Sequence, residues 1–210
     1  MKIKQPQNAR SQRTVATLLA AARSMIEKRG FEAVTMAAVA ESAGVTRRAV
    51  YLHFSTRMEL LLALYRSLGD TEDLARSLQA VWDSPNAMAA LREWAHHIAR
   101  SHPRILAIML SVDRARHTDP DAAELWKVNQ GNWLKGSRRL VQWLADDGRL
   151  DPRWTVDTAT DIVWALMSPD LLDRLLHQRD WTREQFAEAF TALLTSTLVE
   201  TGVEGPTHPS

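Results

Sequence analysis

Apolar residues recur at helical spacing through most of the chain, and no segment alternates apolar with polar positions as a half-buried strand would. The first twelve residues, MKIKQPQNARSQ, have no apolar period and include a proline. They read as a basic arm, either a loose tail or one that touches a partner. From Arg13 the period sets in, with Val15, Leu18, Leu19, Ala22 and Ile26 on one face and Gly30 as the stop. Thr35 is placed to cap a short second helix with Met36, Val39 and Ala40 inward. Gly44 supplies a left-handed residue after it, and Thr46 caps a third helix over Arg47 to about His53. A fourth begins on a capping box, Thr56 with Glu59, and carries Leu60, Leu61, Leu64, Tyr65 and Leu68.

Beyond Gly69 the helical period continues. Met88, Leu91, Ala95 and Ile98 mark a helix expected to end at Pro103, and Ile105, Leu106, Ile108 and Met109 mark another that is apolar nearly all round, hence central to its domain. A long helix is expected over about 121–146, closed by Gly148, followed by helices near 156–167 and 183–199 with a short piece at 171–176. The predicted class is all-α.

Composition narrows the function. Forty-five per cent hydrophobic and 24% charged residues over 210 positions is ordinary for a globular chain. The absence of cysteine leaves no disulfide framework and no thiolate metal site. The N-terminus lacks the apolar stretch of a signal peptide, so a cytoplasmic protein is expected. The net charge of +1 hides an asymmetry: residues 1–57 hold ten Lys/Arg against three Asp/Glu, and the remainder holds sixteen against twenty-two. A small basic module joined to an acidic one points to a polyanion as partner of the first alone.

The segment TMAAVAESAGVTRRAVYLHF, Thr35 to Phe54, has the spacing of a helix-turn-helix: two short helices around a Gly-containing turn, with Ala40, Ala43 and Gly44 small where they cross. Val45 and Val50 can pin the second helix to the first and leave its outer face free for a major groove. Gly30, Phe31, Thr35, Val39, Ala40, Ala43, Gly44, Val45, Thr46, Tyr51, His53, Phe54, Arg57, Glu59 and Leu60 together resemble the DNA-binding domain of the TetR (tetracycline repressor) family. A weaker likeness lies near the end, where SPDLLDRLL, Trp181 and an amphipathic helix look like that family's dimerisation helices.

The resemblance implies four segments: a flexible basic arm (1–12), a three-helix helix-turn-helix domain (13–57), a ligand-binding and dimerisation domain (58–202) and a tail (203–210). It implies an operator-binding homodimer released from DNA by a small effector, with no cofactor. At the DNA, Thr35 and Thr46 stand at helix N-termini that favour phosphate, and Tyr51, His53 and Arg57 match the family's other phosphate contacts. Arg47 and Arg48 open the reading helix, where one is expected at a guanine and the other at a phosphate, with the choice open, and Ala49 is small enough to meet a thymine methyl. Where this chain has Arg48 the family often has a small residue.

All eight tryptophans follow residue 80. Trp94, Ile98, Met109, Trp126, Asn129, Trp133 and Trp164 are the candidate effector contacts, on the resemblance and on the capacity of ring faces to hold an aromatic or cationic ligand. The same rings also serve as core filling. Gly131 and Gly136 inside the long helix suggest close packing or room made for something. The dimer stripe is expected to combine Val156, Val163 and Leu166 with Phe186, Phe190, Leu193, Leu194 and Leu198. Among His96, His97, His102, Asp113 and His117 adjacent histidines face different ways and no two histidines stand at i, i+4, so no metal site is expected. The alternatives are a DNA-binding regulator without a ligand and, last, a small helical enzyme, against which stand the missing GxSxG, HExxH and Gly-rich phosphate loop.

Overall fold

The computed structural model describes residues 9–71 and 74–200. The tail and the first eight residues of the expected arm lie outside them. Every named element is helical: α1 (Ala9–Arg29), α2 (Met36–Ser42), α3 (Arg47–His53), α4 (Arg57–Thr71), α5 (Leu74–Trp82), α6 (Ala87–Ala115), α7 (Pro120–Asp146), α8 (Val156–Leu166), α9 (Pro169–Asp173) and α10 (Arg183–Leu198). A 3₁₀ turn over Phe31–Ala33 precedes α2, a π turn over Arg174–Gln178 follows α9, and one antiparallel bridge joins Leu150 to Val199.

Two expectations are corrected. Residues 9–12 of the expected arm are helical and belong to α1; alanine and arginine are good helix formers. Pro103 does not end a helix: α6 runs through it from Ala87 to Ala115. A proline there forfeits one backbone hydrogen bond. Burial of Ala95, Ile98 and Ala99 before it and of Ile105, Leu106, Ile108 and Met109 after it outweighs that cost.

The chain divides into two compact units, Met1–Ala75 with Pro103–Gln130, and Arg76–His102 with Gly131–Ser210. The first unit thus holds α1 to α4 together with the C-terminal half of α6 and the N-terminal half of α7. Its core gathers Leu18, Ala22 and Ile26 of α1, Val39 and Val50 of the helix-turn-helix, Leu60, Leu61 and Leu64 of α4, and Ile105, Met109, Val112 and Leu125.

The second unit packs Leu91, Trp94 and Ile98 of α6, Leu140 and Leu144 of α7, Val163 of α8, and Phe186, Phe190, Leu194 and Leu198 of α10, all buried. Gly136 has a structural reason to be glycine. A Cβ there would sit 2.7 Å from the Trp94 ring, so the indole of α6 lies directly against the backbone of α7. Of the two readings open for the glycines of α7, close packing holds at Gly136, and a Cβ at Gly131 would meet nothing within 4 Å.

Candidate nucleic-acid interface

The first unit presents a short exposed helix on a rigid base. The Thr35 hydroxyl accepts the Ala38 N–H at 3.1 Å and starts α2; the Thr46 hydroxyl accepts the Ala49 N–H at 3.2 Å and starts α3. Between them Gly44 takes φ +66°, and two bonds close the turn: Val45 N–H to Ala40 O at 3.0 Å and Gly44 N–H to Glu41 O at 3.1 Å. That is the double bond of a Schellman motif, which fixes the direction in which the chain leaves α2. Val50 and Phe54, both buried, hold α3 on the core. The exit is also pinned, since Glu59 Oε2 accepts the Ser55 N–H at 2.7 Å and the Thr56 hydroxyl accepts the Glu59 N–H at 3.1 Å.

On that base Thr35, Thr46, Arg47, Arg48 and Tyr51 are exposed, while Ala49 and His53 are half-buried at the edges. Leu52, which sequence reasoning passed over, is 73% exposed, more than any other large apolar side chain described.

Arg57 stands elsewhere than expected. Its Nε donates to Val34 O at 2.6 Å, Nη2 to Phe31 O at 3.2 Å, and Nη1 to Asp119 Oδ2 at 2.8 Å and Asp121 Oδ2 at 3.3 Å, with the guanidinium 4.7 Å from the Phe31 ring centre. A cation with four bonds inside its own unit is a clamp on the 3₁₀ turn and the start of α7. Partial burial would raise the Asp119 carboxyl. The Arg57 bond, with the backbone N–H groups of Ala122 and Asp121, outweighs that and holds it below the usual carboxylate value.

The seven candidate effector contacts divide between the units: Met109, Trp126 and Asn129 in the first, and Trp94, Ile98, Trp133 and Trp164 in the second. In the first unit Met109 is core, the Arg116 guanidinium lies 5.1 Å from the Trp126 ring centre, and Asn129 Oδ1 accepts the Tyr65 hydroxyl at 2.8 Å. In the second unit Trp94 and Ile98 are buried on one face of α6, and four residues past Ile98 the His102 ring meets Trp133 at a tilt of 44°, with ring centres 5.2 Å apart. Several buried polar atoms lack a partner: Trp94 Nε1, Trp164 Nε1 and both ring nitrogens of His102 in the second unit, and Asn129 Nδ2 in the first. His97 is better served, with Nδ1 3.0 Å from Ser77 Oγ and 3.2 Å from Ser101 Oγ. A separate cleft of about 740 Å³, lined by Met88, Arg92, His96, Arg149, Glu188 and Ala192 among others, contains none of the seven.

The expected dimer stripe is corrected. Phe186, Phe190, Leu194, Leu198 and Val163 are buried within the chain, the two phenylalanines stacked at 5.3 Å, because α10 turns that face to its own unit. Val156 and Leu166 are half-buried, and Leu193 alone of the eight is exposed, at 44%. Among the described residues no cluster of three His, Asp or Glu stands ready for a metal, and no helix is long and apolar enough to cross a membrane.

Comparison with known proteins bears on the first unit most directly. Residues 18–64 match the family described as bacterial regulatory proteins, tetR family. The HTH-type transcriptional regulator TtgR of Pseudomonas putida is 45% identical over 71 residues, 33% of this chain; the chain spans 34% of that relative's length. Over most of the chain the fold is shared with NalD, the secondary repressor of the MexAB-OprM multidrug efflux pump in Pseudomonas aeruginosa. That match has a TM-score of 0.69 and 20% identity and covers 92% of this chain and 99% of NalD. It is shared too with the transcriptional regulator FadR from Bacillus subtilis, solved in complex with stearoyl-CoA, at a TM-score of 0.68 and 15% identity, covering 86% of this chain and 97% of FadR.

Proposed function

We propose that this chain, a member of the TetR family of bacterial regulatory proteins through residues 18–64, is a cytoplasmic transcriptional repressor that holds a palindromic operator as a homodimer and is released by a small apolar or aromatic effector. The observation that carries the reading is α3 itself: a helix pinned by Val50 and Phe54 whose free surface offers Arg47, Arg48, Tyr51 and the Thr46 hydroxyl. Each Thr hydroxyl that accepts a backbone N–H keeps its own proton for a phosphate oxygen, and Thr35 and Thr46 share that duty with Tyr51 and His53. Arg57 positions the head by clamping it and does not face the phosphates.

An effector site in the second unit is supported by the buried indole N–H groups of Trp94 and Trp164 and by the His102 ring, polar atoms whose desolvation no partner offsets. They suit a largely apolar ligand carrying a hydrogen-bonding group. Structural relatives point the same way, one named as an efflux-pump repressor and one solved with a fatty acyl thioester. Dimerisation is assigned to the outward faces of α8 and α10, where Leu193 is exposed.

The test is selection of duplexes from a random-sequence pool by the full chain, followed by footprinting. Two protected half-sites about one helical turn, roughly 34 to 36 Å, apart are expected. Failure to enrich any sequence would end the operator reading.

A further inference from the structure

Within that DNA-binding reading, we infer that Leu52 reads a thymine by its C5-methyl group, in partnership with Arg48 at a neighbouring guanine. The inference starts from the direction of each side chain. With buried Val50 taken as inward and about 100° per residue, Arg48 and Leu52 each point about 160° away from it, on either side of the outermost line of α3. Arg47 and Tyr51 fall on one flank, and Ala49 and His53 on the other, where both are half-buried. The two outermost side chains are therefore a guanidinium and an isobutyl group, four residues apart and side by side.

At 73% exposure the Leu52 isobutyl group is not held by packing in its own unit and stands free at the outermost line of α3, beside two arginines. A major groove offers apolar surface at one place, the thymine methyl, and the basic surroundings of Leu52 fit a polyanion better than they fit an apolar protein surface. Four residues of helix rise about 6 Å, which is less than two base-pair steps, so the thymine lies within two base pairs of the guanine that Arg48 holds. This geometry gives the methyl to Leu52 in place of Ala49, whose half-buried flank position and single methyl leave it less reach.

The experiment uses the duplex that the full chain selects, with each thymine in turn replaced by uracil, which removes the methyl and nothing else. At one thymine per half-site, adjacent to or one pair beyond a guanine, the loss of the methyl should weaken wild-type binding about fourfold, the worth of one buried methyl. Leu52→Ala, at an exposed position that leaves the fold intact by circular dichroism, should bind thymine and uracil duplexes equally. Arg48→Ala should keep the uracil effect and lose the guanine preference. Uracil without effect at every thymine overturns the inference while leaving operator binding intact. So does a uracil effect that persists in Leu52→Ala and vanishes in Ala49→Gly. If no duplex is enriched, the operator reading fails first and takes this one with it.

Discussion

Arg57 Nη1 lies 2.8 Å from Asp119 Oδ2, and that bond ties the residue after the helix-turn-helix to the turn before α7. Both side chains are largely shielded, at 21% and 16% exposure, so the pair gains more than a surface ion pair does. Asp119→Asn is expected to lower stability by about 1 to 2 kcal/mol and to weaken DNA binding for all sequences alike. The direction is diagnostic. If Arg57 served as a phosphate ligand, removing a nearby negative charge would tighten DNA binding; if it is a clamp, binding loosens. Operator affinities of Asp119→Asn and Arg57→Ala, measured at one salt concentration, decide between the two.

Readout and positioning separate along α3. Arg48→Ala should relax the preference at one base pair per half-site, at a cost of about 1 to 3 kcal/mol against the preferred base. Arg47→Ala and Tyr51→Phe, changed on the flank, should weaken every sequence by the same factor. Arg47→Ala should also flatten the salt dependence by about one counterion. Binding profiles on a library with each position varied would show the difference. A preference shifted by Arg47→Ala and untouched by Arg48→Ala would reverse the assignment.

The buried histidines make the second unit acid-sensitive. Burial, with Arg100 adding to it, lowers His97 from 6.5 to about 4; burial, then His97, lowers His102 to about 3. Both folded values lie below the unfolded one, so unfolding takes up protons. The stability these groups contribute is complete above pH 6.5 and is lost as pH falls from there toward 4 and below. The slope is about 1.4 kcal/mol per pH unit for each proton taken up. His102→Phe, which keeps a ring against Trp133 and removes two unpartnered nitrogens, should unfold at a higher denaturant concentration at pH 7 and show a shallower acid slope. Denaturation midpoints between pH 7 and pH 4 check both.

For self-association the buried and exposed sides of α10 give opposite expectations. Leu193→Glu changes an exposed side chain and should leave the helical signal intact while halving the mass in light scattering at micromolar concentration. Phe190→Glu buries a charge beside Phe186 and should unfold the unit. A wild-type chain with monomeric mass would remove the dimer altogether.

These cases show where the sequence was readable. The caps at Thr35, Thr46 and Thr56, the Gly44 turn and the all-helical class followed from local chemistry, because each is decided within a few residues. Pro103 misled for the complementary reason: the burial on both sides that carries α6 through it is tertiary. The stripe Phe186, Phe190, Leu194, Leu198 was correctly read as apolar and wrongly assigned a partner, since periodicity says that a face is covered and not by what. Arg57 matched a motif position, and its acids lie more than sixty residues away, beyond any spacing rule. Leu52 was passed over, because one leucine in a basic helix carries no signal until its exposure is known.

The last expectation concerns release. If an effector frees the operator by favouring a state that DNA does not, the coupling is a property of the pair of equilibria and not of any route between them. A hundredfold loss of operator affinity on effector binding corresponds to about 2.7 kcal/mol, and linkage then requires operator DNA to weaken effector binding by the same hundredfold. All eight tryptophans lie after residue 80 and none in the helix-turn-helix, so their quenching reports the effector with little interference from DNA. A compound that quenches them should titrate at two different midpoints, tighter for the free chain and weaker for the chain saturated with its selected duplex. Gly136→Ala, which pushes against the Trp94 ring, should alter the effector midpoint while leaving operator affinity in the absence of effector near wild type. Equal midpoints with and without DNA, for a compound whose binding Gly136→Ala or His102→Phe does change, would mean that the site is real and that it does not control the operator.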